Sequence, residues 1–137
     1  MKKRLLLFYF AFIGVLHFFS PFQLKAGEIT VSDVGQAGSF GLVSNGNAAN
    51  LVIDNNDSEV VSIVAKAFAE DVKLIAGVQP AITNALGNNP SVIIGTLGQS
   101  TLINQLVASG KIDKSRLEGK WETFLISVVN NPTATMP

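Results

Sequence analysis

The chain reads as an α/β protein: a small mixed or mostly parallel sheet with two main helices, behind an N-terminal signal peptide. Three observations predict this class. Residues 58–76 carry apolar side chains at three- and four-residue spacing, the period of a helix with one buried face. Residues 51–53 and 91–95 are short apolar runs bounded by Asn, Asp, Gly and Pro, as strands are. Helix-length connections between such strands favour parallel neighbours joined by right-handed crossovers.

The elements follow in order. Lys2, Lys3 and Arg4 precede an apolar run from Leu5 to Phe19 that is broken only by His17, and Ala26 supplies a small residue before Gly27. That is the order of a secretory signal peptide over residues 1–26, with export to the periplasm or the exterior. The run is shorter than the ~20 apolar residues of a comfortable membrane span, which sets cleavage above the competing reading of a retained anchor. Residues 27–39 are a lead-in segment in which 28–34 alternate weakly and predict a short strand, followed by a turn at Gly35–Gly38. Phe40 to Val43 predicts a strand. Asn45-Gly46 predicts a tight hairpin turn, because both residues tolerate positive φ, and the hairpin would pair 40–43 with 50–54.

Asn55, Asn56 and Asp57 offer helix caps. The helix at 58–76 should place Val60, Val64, Phe68, Val72 and Ile75 on the sheet, and Gly77 and Pro80 should end it. Residues 85–90 are a loop, and 91–95 predict a continuous apolar strand suited to the centre of a sheet. A strand-to-helix turn at 95–98 leads into a helix opened by Gln99 or Ser100 and stopped by Gly110. A short helix capped by Asp113 spans 112–117. Residues 121–129 alternate and predict a last strand, closed by Asn130-Asn131-Pro132; 133–137 form a tail.

Composition excludes several functions. Four of the ten basic residues (Lys2, Lys3, Arg4, Lys25) precede Gly27, while all ten acids follow it; six bases against ten acids leave residues 27–137 at a net charge of −4. A mildly acidic surface argues against nucleic-acid phosphates as partners. Cysteine is absent throughout, and His17 and Tyr9, the single histidine and tyrosine, lie in the signal segment. A zinc site of the usual His/Cys type and a His-activated nucleophile therefore have no residues to build them after residue 26.

Four groups invite a chemical reading, and each has a plainer one. The Gly95-Thr96-Leu97-Gly98-Gln99-Ser100 turn could aim N–H groups at an anion, but it lacks a third glycine and the lysine of a phosphate loop, so a tight βα turn is the simpler account. Trp121 could stack on a sugar ring; as one isolated Trp it reads better as an aromatic anchor opening a buried strand. Asp54, Asp57 and Glu59 lack the ligand spacing of a calcium loop and read as helix caps. Glu70/Asp71 and Glu118/Glu122 read as solvated acids rather than a catalytic pair. No catalytic, cofactor-binding or metal residue is assigned.

One resemblance rests on an ordered set of motifs: Phe40-x-Leu42-Val43-x-Asn45-Gly46-x-Ala48-Ala49, Val52-x-Asp54-x-Asn56-Asp57, Val60-Val61 and Ala69-Glu70-Asp71, then Ile93-Ile94-Gly95-Thr96-Leu97-Gly98-x-Ser100, Leu102-Ile103, Gly110-Lys111-Ile112-Asp113 and Gly119-Lys120-Trp121-Glu122-Thr123-Phe124. Over residues 40–132 the chain resembles the N-terminal domain of glycoside hydrolase family 115, secreted xylan α-1,2-glucuronidases. The resemblance implies a partial α/β accessory domain at 40–132, an incomplete domain that a further strand and helix would finish, preceding a catalytic (β/α)8 barrel as its partner. The family's catalytic acids sit in that barrel, so none is carried onto this chain, which is expected to be inactive alone. A free-standing secreted module that binds polysaccharide is the alternative, and a remnant without activity a third reading.

Overall fold

The computed structural model describes residues 30–133. All but Thr30 and Val31 of these belong to one compact unit, Ser32–Pro137. The expected signal peptide, residues 1–26, lies outside the described residues. Among the described residues the architecture is α/β, with two helices, a small parallel sheet and a separate hairpin.

The hairpin pairs β1 (Val43–Ser44) with β2 (Asn47–Ala48), in register Val43↔Ala48. Asn45 and Gly46 sit at φ 51° and 74°, the two left-handed positions that a two-residue loop with the twist of its strands requires. The pairing ends once the Ala49 N–H has bonded the Leu42 carbonyl, because the Asn50 N–H turns to Pro90. The expected pairing of 40–43 with 50–54 is thus corrected: the second run leaves the hairpin and becomes the centre of another sheet. That sheet runs β4-β3-β5, all parallel, from β3 (Asn50–Ile53), β4 (Ile82–Thr83) and β5 (Ser91–Ile94). Leu51 and Val52 of β3 are fully buried. The central place therefore belongs to β3, whereas β5, all of whose residues are half-buried, pairs with β3 alone among the described residues. The β4 strand was not foreseen, because two residues just after Pro80 carry no periodicity.

Helix α1 (Glu59–Ala76) follows β3, with Ser58 before it and Gly77 in the left-handed conformation after it. Its buried residues are Ala65, Ala69 and Val72, and it packs on β3 and β4. This corrects the expected face. Val72 is buried and Phe68 half-buried, but Val60, Val64 and Ile75 are exposed. The helix is apolar around most of its circumference, so spacing alone does not select the stripe. The sheet is approached through the small side chains, which let the helix come closest.

Helix α2 (Thr101–Ala108) starts at Ser100, whose hydroxyl accepts from the Ile103 N–H, and the chain reverses at Gly110 (φ 71°). A 3-10 turn, Lys114–Arg116, is capped by Asp113. Two expected strands are absent. Residues 30–34 are bent and exposed, with Val31 91% exposed, since no neighbour offers them a ladder; Glu28 and Ile29 lie outside the described residues. Residues 121–129 are likewise unpaired. Gly119 at φ 73° and Glu122 at φ 51° bend the chain where the strand would begin. Trp121 is 90% exposed and Phe124 78%, which corrects the reading of Trp121 as a buried anchor.

Candidate functional site

In open parallel sheets, ligands enter beyond the C-terminal ends of the strands, where successive connections leave a central strand in opposite directions. Here that point lies between β3 and β5. It is built from the β3–α1 loop, residues 54–58, and the β5–α2 turn, residues 95–100.

Two carboxylates stitch these loops together. Asp54 accepts from the Asn56 N–H (2.9 Å) through one oxygen and from the Thr101 N–H (2.7 Å) through the other. Asp57 accepts from the Ser58 N–H (2.7 Å) and from the Thr96 N–H (2.7 Å). Hydrogen bonds from the Asn56 N–H, then from the Thr101 N–H and hydroxyl, hold the Asp54 carboxyl below the usual carboxylate range. Thr101 opens α2, so Asp54 also lies where the positive end of the helix dipole favours an anion.

The turn itself is tight. Ser100 is fully buried, and a Cβ added to Gly95 would stand 2.7 Å from both Ser100 Cβ and Oγ and 2.9 Å from Ile103 Cγ1. Gly98 takes φ 86°, and its N–H is held by Asn104 Oδ1 (2.9 Å). The N–H groups of Thr96, Gly98, Thr101 and Ile103 thus all have acceptors within the chain. The anion-receiving reading of the turn is answered by this arrangement: the anions at its donors are Asp54 and Asp57. The capping role foreseen for those acids is also redirected, since each spends one oxygen on the far loop. Sequence separations of 39 and 47 residues hide such bonds from local patterns.

The other acids stay apart. Glu70 accepts from Gln79 Nε2 (2.8 Å), and Glu118 pairs with Lys114 (3.2 Å) one helical turn away. Asp113 is held below the usual carboxylate range by hydrogen bonds from the Ser115 hydroxyl and N–H. A glycosidic general acid requires the opposite shift. Among the described residues no group of three His, Cys, Asp or Glu could hold a metal ion, and no helix is long and apolar enough to cross a membrane.

A scan against protein-family models finds no match to this chain, and no curated protein matches it.

Proposed function

We propose that this chain is a non-catalytic N-terminal accessory domain of a secreted xylan α-glucuronidase, serving hemicellulose breakdown by packing against a (β/α)8 catalytic barrel. With no family match beside it, the reading rests on the ordered motifs over 40–132 and on one structural observation. Trp121, Phe124, Ile126 and Val128 are all exposed within a single unpaired segment. An exposed apolar run of this size marks a surface built to be covered. The closed switch point fits a supporting role, because its polar groups are consumed in holding two loops together.

The test has two arms. The exported chain, which N-terminal sequencing should find starting at Gly27, should release no glucuronic acid from glucuronoxylan. It should co-elute with a separately expressed α-glucuronidase barrel. Release that is abolished by mutating one named acid would make the chain an enzyme. Failure to bind any such barrel would remove the accessory role.

Trp121 favours a second reading, a free-standing module that binds polysaccharide, because its ring face is open to solvent and Phe124 stands exposed three residues on. On that reading glucuronoxylan in a native gel retards the chain, and Trp121→Ala abolishes the retardation.

A further inference from the structure

We propose that the outer face of α1 is a self-association surface on which a second copy of this chain docks its own α1 antiparallel. The proposal does not depend on the accessory role. The 18 residues of α1 span about 27 Å. The side turned to the sheet is Ala65, Ala69 and Val72. On the far side Val60, Ile63, Val64, Leu74 and Ile75 are all exposed, with Ile63 58%, Leu74 82% and Ile75 88% exposed. Val60, Ile63 and Val64 stand three and four residues apart, and Ala67 and Asp71 carry that spacing on to Leu74 and Ile75, which is the geometry of a helix–helix seam. Ala67, exposed and midway along the stripe, gives it a small residue where two helix backbones can approach closely.

Charge selects the occupant and its direction. Glu59, Lys66 and Lys73 recur every seven residues and so share one flank of the stripe. The acid stands in the first turn of α1 and Lys73 in the last. A twofold axis near Lys66 lays Glu59 of each copy opposite Lys73 of the other, which makes two ion pairs from one surface patch. This is the self-complementarity of an isologous dimer. A parallel arrangement would instead bring the two Glu59 ends together and the two Lys73 ends together. Lys66 meets its own copy at the axis, but Glu70, four residues on, lies beside it on the same helix. Asp71 interrupts the apolar stripe, so each copy brings one carboxylate to the seam and the expected association is weak.

Sedimentation equilibrium of the exported chain tests this. The expected result is a monomer–dimer equilibrium. Ile63→Asp, at an exposed position that leaves the fold intact by circular dichroism, should raise the dissociation constant by about tenfold or more, since it buries an unpaired charge. Glu59→Lys should also weaken the dimer, and Glu59→Lys combined with Lys73→Glu should restore it. Added salt should reduce the difference between single and double variants. A chain that stays monomeric up to about 1 mM overturns the proposal. So does a dimer indifferent to Ile63→Asp, which would join through another surface such as residues 121–129. A double reversal no better than the single one rules out the antiparallel arrangement.

Discussion

Gly95→Ala should be among the most damaging single-methyl additions in the protein. The new Cβ would meet Ser100 Cβ and Oγ at 2.7 Å and Ile103 Cγ1 at 2.9 Å. Ser100 is fully buried, and its Cβ is fixed to the backbone, so it cannot swing away. The turn must open or α2 must shift. Overpacking of this kind costs about 1–3 kcal/mol, and disturbing the Ser100 cap of α2 about 1 kcal/mol more, so a loss of roughly 2–4 kcal/mol is expected. For a domain of this size the melting temperature should fall by something on the order of 10–25 °C. Urea unfolding of wild type, Gly95→Ala, Ser100→Gly and the double variant measures the effect and its origin. Ser100→Gly removes both clashing atoms of residue 100, and glycine at an N-cap costs only a few tenths of a kcal/mol relative to serine. The double variant should therefore recover most of the loss, with a coupling energy of about 1–3 kcal/mol. A loss under about 0.5 kcal/mol for Gly95→Ala, or additive single effects, would refute the close approach of turn and helix.

Two further outcomes follow from the same packing. Val72→Ala should cost about 2 kcal/mol, because it empties a buried site beneath α1, while Val64→Ala on the outer face should stay within about 0.5 kcal/mol in the monomer; equal losses would mean that the helix face is misassigned. Asp54 has a folded-state pKa below its unfolded value, so its contribution is present above about pH 4 and is lost as pH falls through the depressed value; denaturation curves should show a steeper acid-side decline for wild type than for Asp54→Asn, which keeps the part due to Asp113, and parallel pH profiles would contradict this.

What was legible in the chain was what local chemistry decides. The limits of α1, its Gly77 stop, the Ser100 start of α2, the Asp113 cap and the Asn45-Gly46 turn all depend on residues within a few positions of one another. What was not legible depends on partners far away in sequence. The pattern of α1 showed an apolar helix, yet the choice of the Ala65/Ala69/Val72 stripe over Val60/Val64/Ile75 is made by how near β3 and β4 can come. The Asp54 and Asp57 bridges were misread as caps for α1 alone, because their second acceptors serve Thr101 and Thr96 across the switch point. Position within the sheet was misjudged for a related reason: the continuous run of β5 resembled a central strand, but the order β4-β3-β5 leaves it with one neighbour among the described residues.

Residues 121–129 show why alternation is necessary for a strand but does not create one. Phe124, Ile126 and Val128 would share one face of an extended chain, yet a strand is stable only when its N–H and C=O groups find a ladder. No backbone N–H from Glu122 to Val129 donates to another described residue, and the Asn130 carbonyl is instead met by Lys111 Nζ at 3.2 Å. Among the described residues the far edge of β5 has no partner strand, so the alternating segment and a free ladder coexist without meeting. Amide hydrogen exchange distinguishes this arrangement from a docked strand. Amides of 124–129 should exchange close to the unprotected rate in the isolated monomer, while Leu51, Val52 and Val92 in the ladders exchange only through larger openings. Adding a catalytic barrel should slow the exchange of 124–129 if this segment is the covered surface. Protection of 124–129 equal to that of Val92 in the monomer would place the segment on the β5 edge in solution. Its apolar residues would then no longer need a partner, and the accessory reading would lose the observation that carries it.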